Sequence, residues 1–98
     1  MTPDVNGRFS VDGQATIITG SSQGIGRTIA EQFAAEGADV VVSSREQEKV
    51  DEVADGINDS DHPGRAIAIE CDVTEREAVE DLVETTVDEF GSLDCLVN

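Results

Sequence analysis

The 98-residue sequence is long enough for one domain with one modest core. Its 22 acidic residues face six basic ones, a formal charge of −16, which excludes nucleic acid and anionic membrane surfaces as partners. No apolar run approaches the ~20 residues of a membrane span, and residues 1–9 lack the pattern of a secretory signal, so a cytoplasmic protein is expected.

Residues 1–12 are polar, with Pro3 and Gly7, and are expected to form a flexible arm ahead of a domain over 13–98. Val11-Asp12-Gly13 reads as a turn into a first strand over about 14–19, where Ala15-Thr16-Ile17-Ile18 is a buried apolar run. A glycine-rich turn follows. Ile25, Ile29 and Phe33 then recur at the spacing of an apolar helical stripe, predicting a helix over 24–36 that ends at Gly37.

Asp39-Val40-Val41-Val42-Ser43 is a second strand, and three consecutive valines imply burial on both faces of a parallel sheet. Ser44-x-x-Gln47 has the pattern of a capping box for a second helix over about 46–57, with Val50, Val53, Ala54 and Ile57 inward. A polar loop over 58–64 carries His62, which reads as a solvated side chain. Residues 65–71 form a third strand. Thr74-x-x-Glu77 is a second candidate capping box, for a helix over about 75–90. Its expected buried stripe is Ala78, Val79, Leu82, Val83, Thr86, Val87 and Phe90. A fourth strand begins at Leu93.

Strand and helix alternate throughout, which predicts an α/β, doubly wound parallel sheet of Rossmann type. Right-handed crossovers put the first two helices on one face and the third on the other. The strand order is then 3-2-1-4, with the switch point beside the glycine-rich turn. In that order the strands of Cys71 and Cys95 lie about 14 Å apart. A disulfide needs Cα atoms within ~7 Å, so both are expected as free thiols. One histidine and no Cys-x-x-Cys pair give a metal site no support.

The turn itself carries the chemistry. Gly20, Gly24 and Gly26 follow a strand and open a helix, the arrangement that presents backbone N–H groups to a pyrophosphate. Gly20 permits the tight turn, Gly24 a close approach of backbone to phosphate, and Gly26 close packing of the helix. Ser21 and Ser22 offer hydroxyl donors, and Thr19 can pin the turn internally. The helix N-terminus adds about half a positive charge.

The whole run, Thr19, Gly20, Ser21, Ser22, Gln23, Gly24, Ile25 and Gly26, resembles the cofactor turn of the short-chain dehydrogenase/reductase family. Three later segments share the resemblance. At the end of the second strand, Ser44 stands where NAD-preferring members carry Asp or Glu, and Arg45 follows. The resemblance implies NADP(H) favoured over NAD(H), with Arg45 clamping a 2′-phosphate. The competing reading makes Arg45 a surface residue paired with Glu48. Asp72-Val73 resembles the family's adenine contact, the carboxylate accepting from the amino group and the valine packing on the ring. Asp72 also favours the following helix start. Leu93 to Asn98 resembles the strand leading into the family's Asn-Asn-Ala-Gly motif, of which Asn98 is the first residue and lines the adenine-ribose site.

The resemblance implies an oxidoreductase that transfers hydride between NADP(H) and a carbonyl or alcohol substrate, such as a 3-oxoacyl group or a sugar. Members use a Tyr-x3-Lys segment, and this sequence contains no tyrosine. No catalytic residue is therefore assigned, and the amino-terminal part of a longer, homo-oligomeric protein is expected. A non-catalytic nucleotide-binding module or an inactive gene fragment are the alternatives. The acidic composition resembles that of haloarchaeal proteins, whose surface repulsion is screened within ~3 Å at 1 M salt.

Overall fold

A computed structural model of the protein describes residues 12–97, together with the backbone of residues 2–3 and 9–10. Those two short segments pair antiparallel, Thr2 opposite Ser10 and Pro3 opposite Phe9. The rest of the expected arm, and Asn98, lie outside the described residues.

Four parallel strands make the sheet: β1 (Ala15–Thr19), β2 (Asp39–Ser44), β3 (Ala66–Glu70) and β4 (Cys95–Val97). Their order is β3-β2-β1-β4, the order expected of a doubly wound sheet. Three helices connect them: α1 (Gly24–Ala35), α2 (Gln47–Asp59) and α3 (Arg76–Phe90). Val40, Val41 and Val42 are all fully buried, as three valines between two helical layers must be.

One face is closed. Val40, Val42 and Ile18 pack with Ala30 and Ala34 of α1 and with Val50, Val53, Ala54 and Ile57 of α2. The alanines of α1 let the helix sit close to the strands. Ile25, expected at the head of the inner stripe, is instead 81% exposed. It lies in the first helical turn and belongs to neither apolar cluster.

The other face is thinner. Ile17, Val41, Cys71 and Leu82 form its buried nucleus, with Ala78, Val79, Val83 and Phe90 partly covered. Val87, expected to be buried, is 41% exposed, because α3 is the lone described helix on this face. Arg65 reaches across the end of α3, its guanidinium 4.9 Å from the Phe90 ring centroid and donating to the Glu89 carbonyl.

Neither expected capping box forms. Glu46 is the N-cap of α2 and Glu75 that of α3, both without a side-chain cap hydrogen bond. The Gln47 side chain reaches β3 instead, accepting from the Glu70 amide at 2.9 Å and donating to Asp51. Ser44 Oγ accepts from the Glu46 amide, closing a turn before the helix.

Candidate functional site

Parallel strands all point the same way, so Thr19, Ser44 and Glu70 end at one edge of the sheet. Each chain must turn there, and the turns leave a cavity of about 420 Å³. Its wall is built from three turns: Thr19-Gly20 after β1, Ser44-Arg45-Glu46 after β2, and Cys71 to Thr74 after β3. The topology thus brings together Thr19, Gly20, Ser44, Arg45, Asp72 and Val73, six residues singled out in the sequence. Glu46 and Thr74 join them unanticipated; direct adjacency to Arg45 and Asp72 was the available signal.

The β1–α1 turn depends on glycine at two backbone positions. Gly20 and Gly24 have φ of +64° and +63°, which side-chain-bearing residues rarely adopt. A Cβ at either would meet nothing within 4 Å, so the space in front of the turn is open. Gly26 serves differently. A Cβ there would stand 2.5 Å from the Gly20 carbonyl oxygen, so its absence lets the helix close onto the turn.

The start of α1 is electrostatically bare. Gln23 is the N-cap and makes no side-chain cap hydrogen bond, and no acidic residue occupies the first turn. The amide N–H groups and the positive helix end face outward without an internal counter-charge. Ser22 and Gln23 lie on the accessible side of this turn, and Ile25 flanks it. Ser21, expected as a second hydroxyl donor there, is buried with its hydroxyl bonded within the protein. The Thr19 hydroxyl donates to the Val97 carbonyl at 3.3 Å, tying the head of the turn to β4.

Arg45 is the second electrostatic feature. Arg27, Lys49 and Arg76 each pair with a glutamate one helical turn away. Arg65 lies on Phe90. Among the described residues Arg45 alone of the cations makes no ion pair, hydrogen bond or ring contact, and the pairing with Glu48 does not form. Its neighbour Glu46 is held by Lys49 at 3.1 Å. An unpaired guanidinium in a chain of charge −16 therefore stands at the cavity mouth.

Asp72 serves the α3 start. Its Oδ1 accepts from the Thr74 hydroxyl at 2.7 Å and from the Thr74 amide at 2.9 Å. Those bonds, with Arg45 adding, hold its carboxyl below the ordinary range. It is thus a carboxylate at neutral pH in the cavity wall, and both bonds to Thr74 fall on Oδ1. Val73 beside it is 57% exposed, an apolar face with no protein partner covering it. Burial, then the Asp72 and Glu75 charges, push the Cys71 thiol up, and its side chain forms part of the cavity wall. Cys71 and Cys95 are both free. His62 lies elsewhere, with Arg27 and Ser60 in a separate depression between α1 and α2.

A glycine turn between the first strand and an uncapped helix start, at the carboxyl ends of a parallel sheet, is the arrangement of a Rossmann-type fold. Residues 14–98 match the family model described as short chain dehydrogenase, and the chain belongs to that family. Among its relatives, glucose 1-dehydrogenase 2 of Bacillus subtilis is 39% identical over 87 residues, covering 88% of this chain and 33% of that protein. A short chain dehydrogenase from Mycobacterium smegmatis superimposes with a TM-score of 0.85 at 40% identity, over 90% of this chain and 37% of that one. A 7α-hydroxysteroid dehydrogenase complexed with NADH and 7-oxo glycochenodeoxycholic acid gives 0.85 at 37% identity, over 91% and 34%. The sequence thus spans about a third of the length of these relatives. No described helix is long and apolar enough to cross a membrane.

Proposed function

We propose that these 98 residues are the cofactor-binding part of an NADP(H)-dependent oxidoreductase acting on a carbonyl or alcohol substrate. The unpaired Arg45 at the cavity mouth carries the preference for the phosphorylated cofactor. The pyrophosphate lies against the amides of residues 20–26, with Ser22 as a hydroxyl donor. Arg45 and the Ser44 hydroxyl face the adenosine ribose and its 2′-phosphate. Asp72 Oδ2 accepts from the adenine amino group, and Val73 packs on the ring. The bound nicotinamide supplies the hydride; this chain's part is to orient the cofactor. The proton donor to substrate comes from outside these 98 residues.

The acidic surface fits a cell interior of high salt, where the two free thiols stay reduced. In such a field a 2′-phosphate gains most from a cation that is not already held in an ion pair. A bidentate contact of this kind contributes roughly 1.5–3 kcal/mol. Calorimetric titration in molar KCl should therefore show NADPH binding roughly tenfold or more tighter than NADH. Arg45→Ala should bring the two together. Equal affinities before the substitution would remove the role assigned to Arg45, and no binding of either cofactor would remove the cofactor site.

A further inference from the structure

Ser21 sits inside the phosphate-facing turn, yet it is fully buried. Its hydroxyl donates to the Ile18 carbonyl at 2.7 Å and accepts from the Ser43 amide at 2.8 Å. Its own amide donates to the Ser43 carbonyl at 3.1 Å. The register of β1 and β2 ends at the pair Thr19 and Ser43. Gly20 then swings the chain away from β2. Ser21 returns to it and adds one more rung, partly with its side chain.

The far end of that rung is the residue before Ser44 and Arg45. On the other side of Arg45, the Glu46 amide is tied to Ser44 Oγ at 3.1 Å. Arg45 thus sits in a short turn closed on itself, directly after a strand residue that is bonded to the glycine-rich turn. The Ser43 hydroxyl is buried without a partner, so it contributes no anchor of its own. The Ser21 hydroxyl and amide together link the turn that meets one part of a dinucleotide to the strand end that carries the residue meeting another, and the hydroxyl is the part a substitution can remove.

We propose that Ser21 is a positioning residue that sets the separation between the pyrophosphate turn and Arg45, and thereby the preference for a 2′-phosphorylated dinucleotide. This inference rests on the cofactor reading above. NADH carries no group at the Arg45 end, so it feels a shift between the two pieces less than NADPH does. A role confined to stability would lower both affinities alike.

The test is a calorimetric cycle on the full 98-residue chain in molar KCl, titrating NADPH and NADH into the parent, Ser21→Ala, Arg45→Ala and the double variant. A thermal scan first fixes a temperature at which each is folded. Ser21→Ala should weaken NADPH by about tenfold and NADH by about threefold or less. With Arg45 already replaced, Ser21→Ala should weaken both cofactors equally. If Ser21→Ala does not fold, Ser21→Cys keeps the volume, weakens both hydrogen bonds and should lower the NADPH to NADH ratio in the same sense. An unchanged ratio in the variant that folds overturns the positioning role while the cofactor site stands. Absence of binding to the parent chain overturns the cofactor reading, and this inference with it.

Discussion

The two faces of the sheet are built from similar residues but are not equally finished. On the α1/α2 side, eleven residues from both helices and three strands form one buried cluster, each at most 5% exposed. On the α3 side the buried apolar cluster has only four members, Ile17, Val41, Cys71 and Leu82. Leu96 of β4 is 51% exposed and Val87 of α3 is 41% exposed, both on the thinner side. Two helices close over β1, β2 and β3, while one helix cannot cover four strands. Cover, not composition, separates the faces, since valine and leucine are buried only where another element lies opposite.

That difference can be broken from the finished side first. Ile57→Ala opens a cavity in the closed cluster, where Ile57 is 2% exposed. It should cost about 2–5 kcal/mol in a urea unfolding experiment, a large share of the stability of so small a domain. A loss under about 1 kcal/mol would show that the α1/α2 face is no better packed than its opposite. Gly26→Ala comes next, because its methyl would stand 2.5 Å from the Gly20 carbonyl oxygen. Overpacking of this kind costs about 1–3 kcal/mol, and it should also abolish cofactor binding by displacing the turn. Retained binding with unchanged stability would mean that helix and turn are not in contact.

On the thinner side the effects are smaller. The Asp72 carboxyl at the start of α3 is held below its ordinary value of 3.8 by the Thr74 hydroxyl, then by the Thr74 amide. A carboxyl lowered in the folded state adds stability that is complete above its unfolded value and is lost as pH falls through the lowered one. Asp72→Asn should therefore flatten the stability profile below pH 3.8 and leave its slope above that range unchanged. An unaltered acid limb would show that the Asp72–Thr74 turn does not hold α3. Leu96→Thr should change the unfolding free energy least, by about 1 kcal/mol or less, since half the side chain already meets water. A penalty approaching that of Ile57→Ala would mean that something covers Leu96 in solution, and a concentration-dependent midpoint would identify it as a second copy.

Much of the molecule was legible in the chain itself. The order of elements followed from alternating patterns, and the strand order was the one expected of a doubly wound sheet with that alternation. The glycine turn, Arg45 and Asp72 were visible as residue types at strand ends, and the sheet brings those ends together. The capping boxes were misread for a physical reason. Ser44 and Thr74 have the right neighbours, but Gln47 has a better partner in the Glu70 amide, 23 residues away. Thr74 has one in Asp72, which turns the chain before the helix begins. Ile25 was misread because periodicity locates a face of a helix without saying how much of that face another element covers.

What the sequence alone determined is local and periodic: where strands and helices lie, that three consecutive valines must be buried on both sides, and that the β1–α1 turn needs glycine. What only the tertiary structure decided is pairwise and long-range. Ser21 gives its hydroxyl to the fold, Arg45 makes no ion pair among the described residues, and the α3 face is left thin. Such outcomes depend on which distant groups the strand register sets opposite one another, a competition among hydrogen bonds and charges that has no signature in any short stretch of chain.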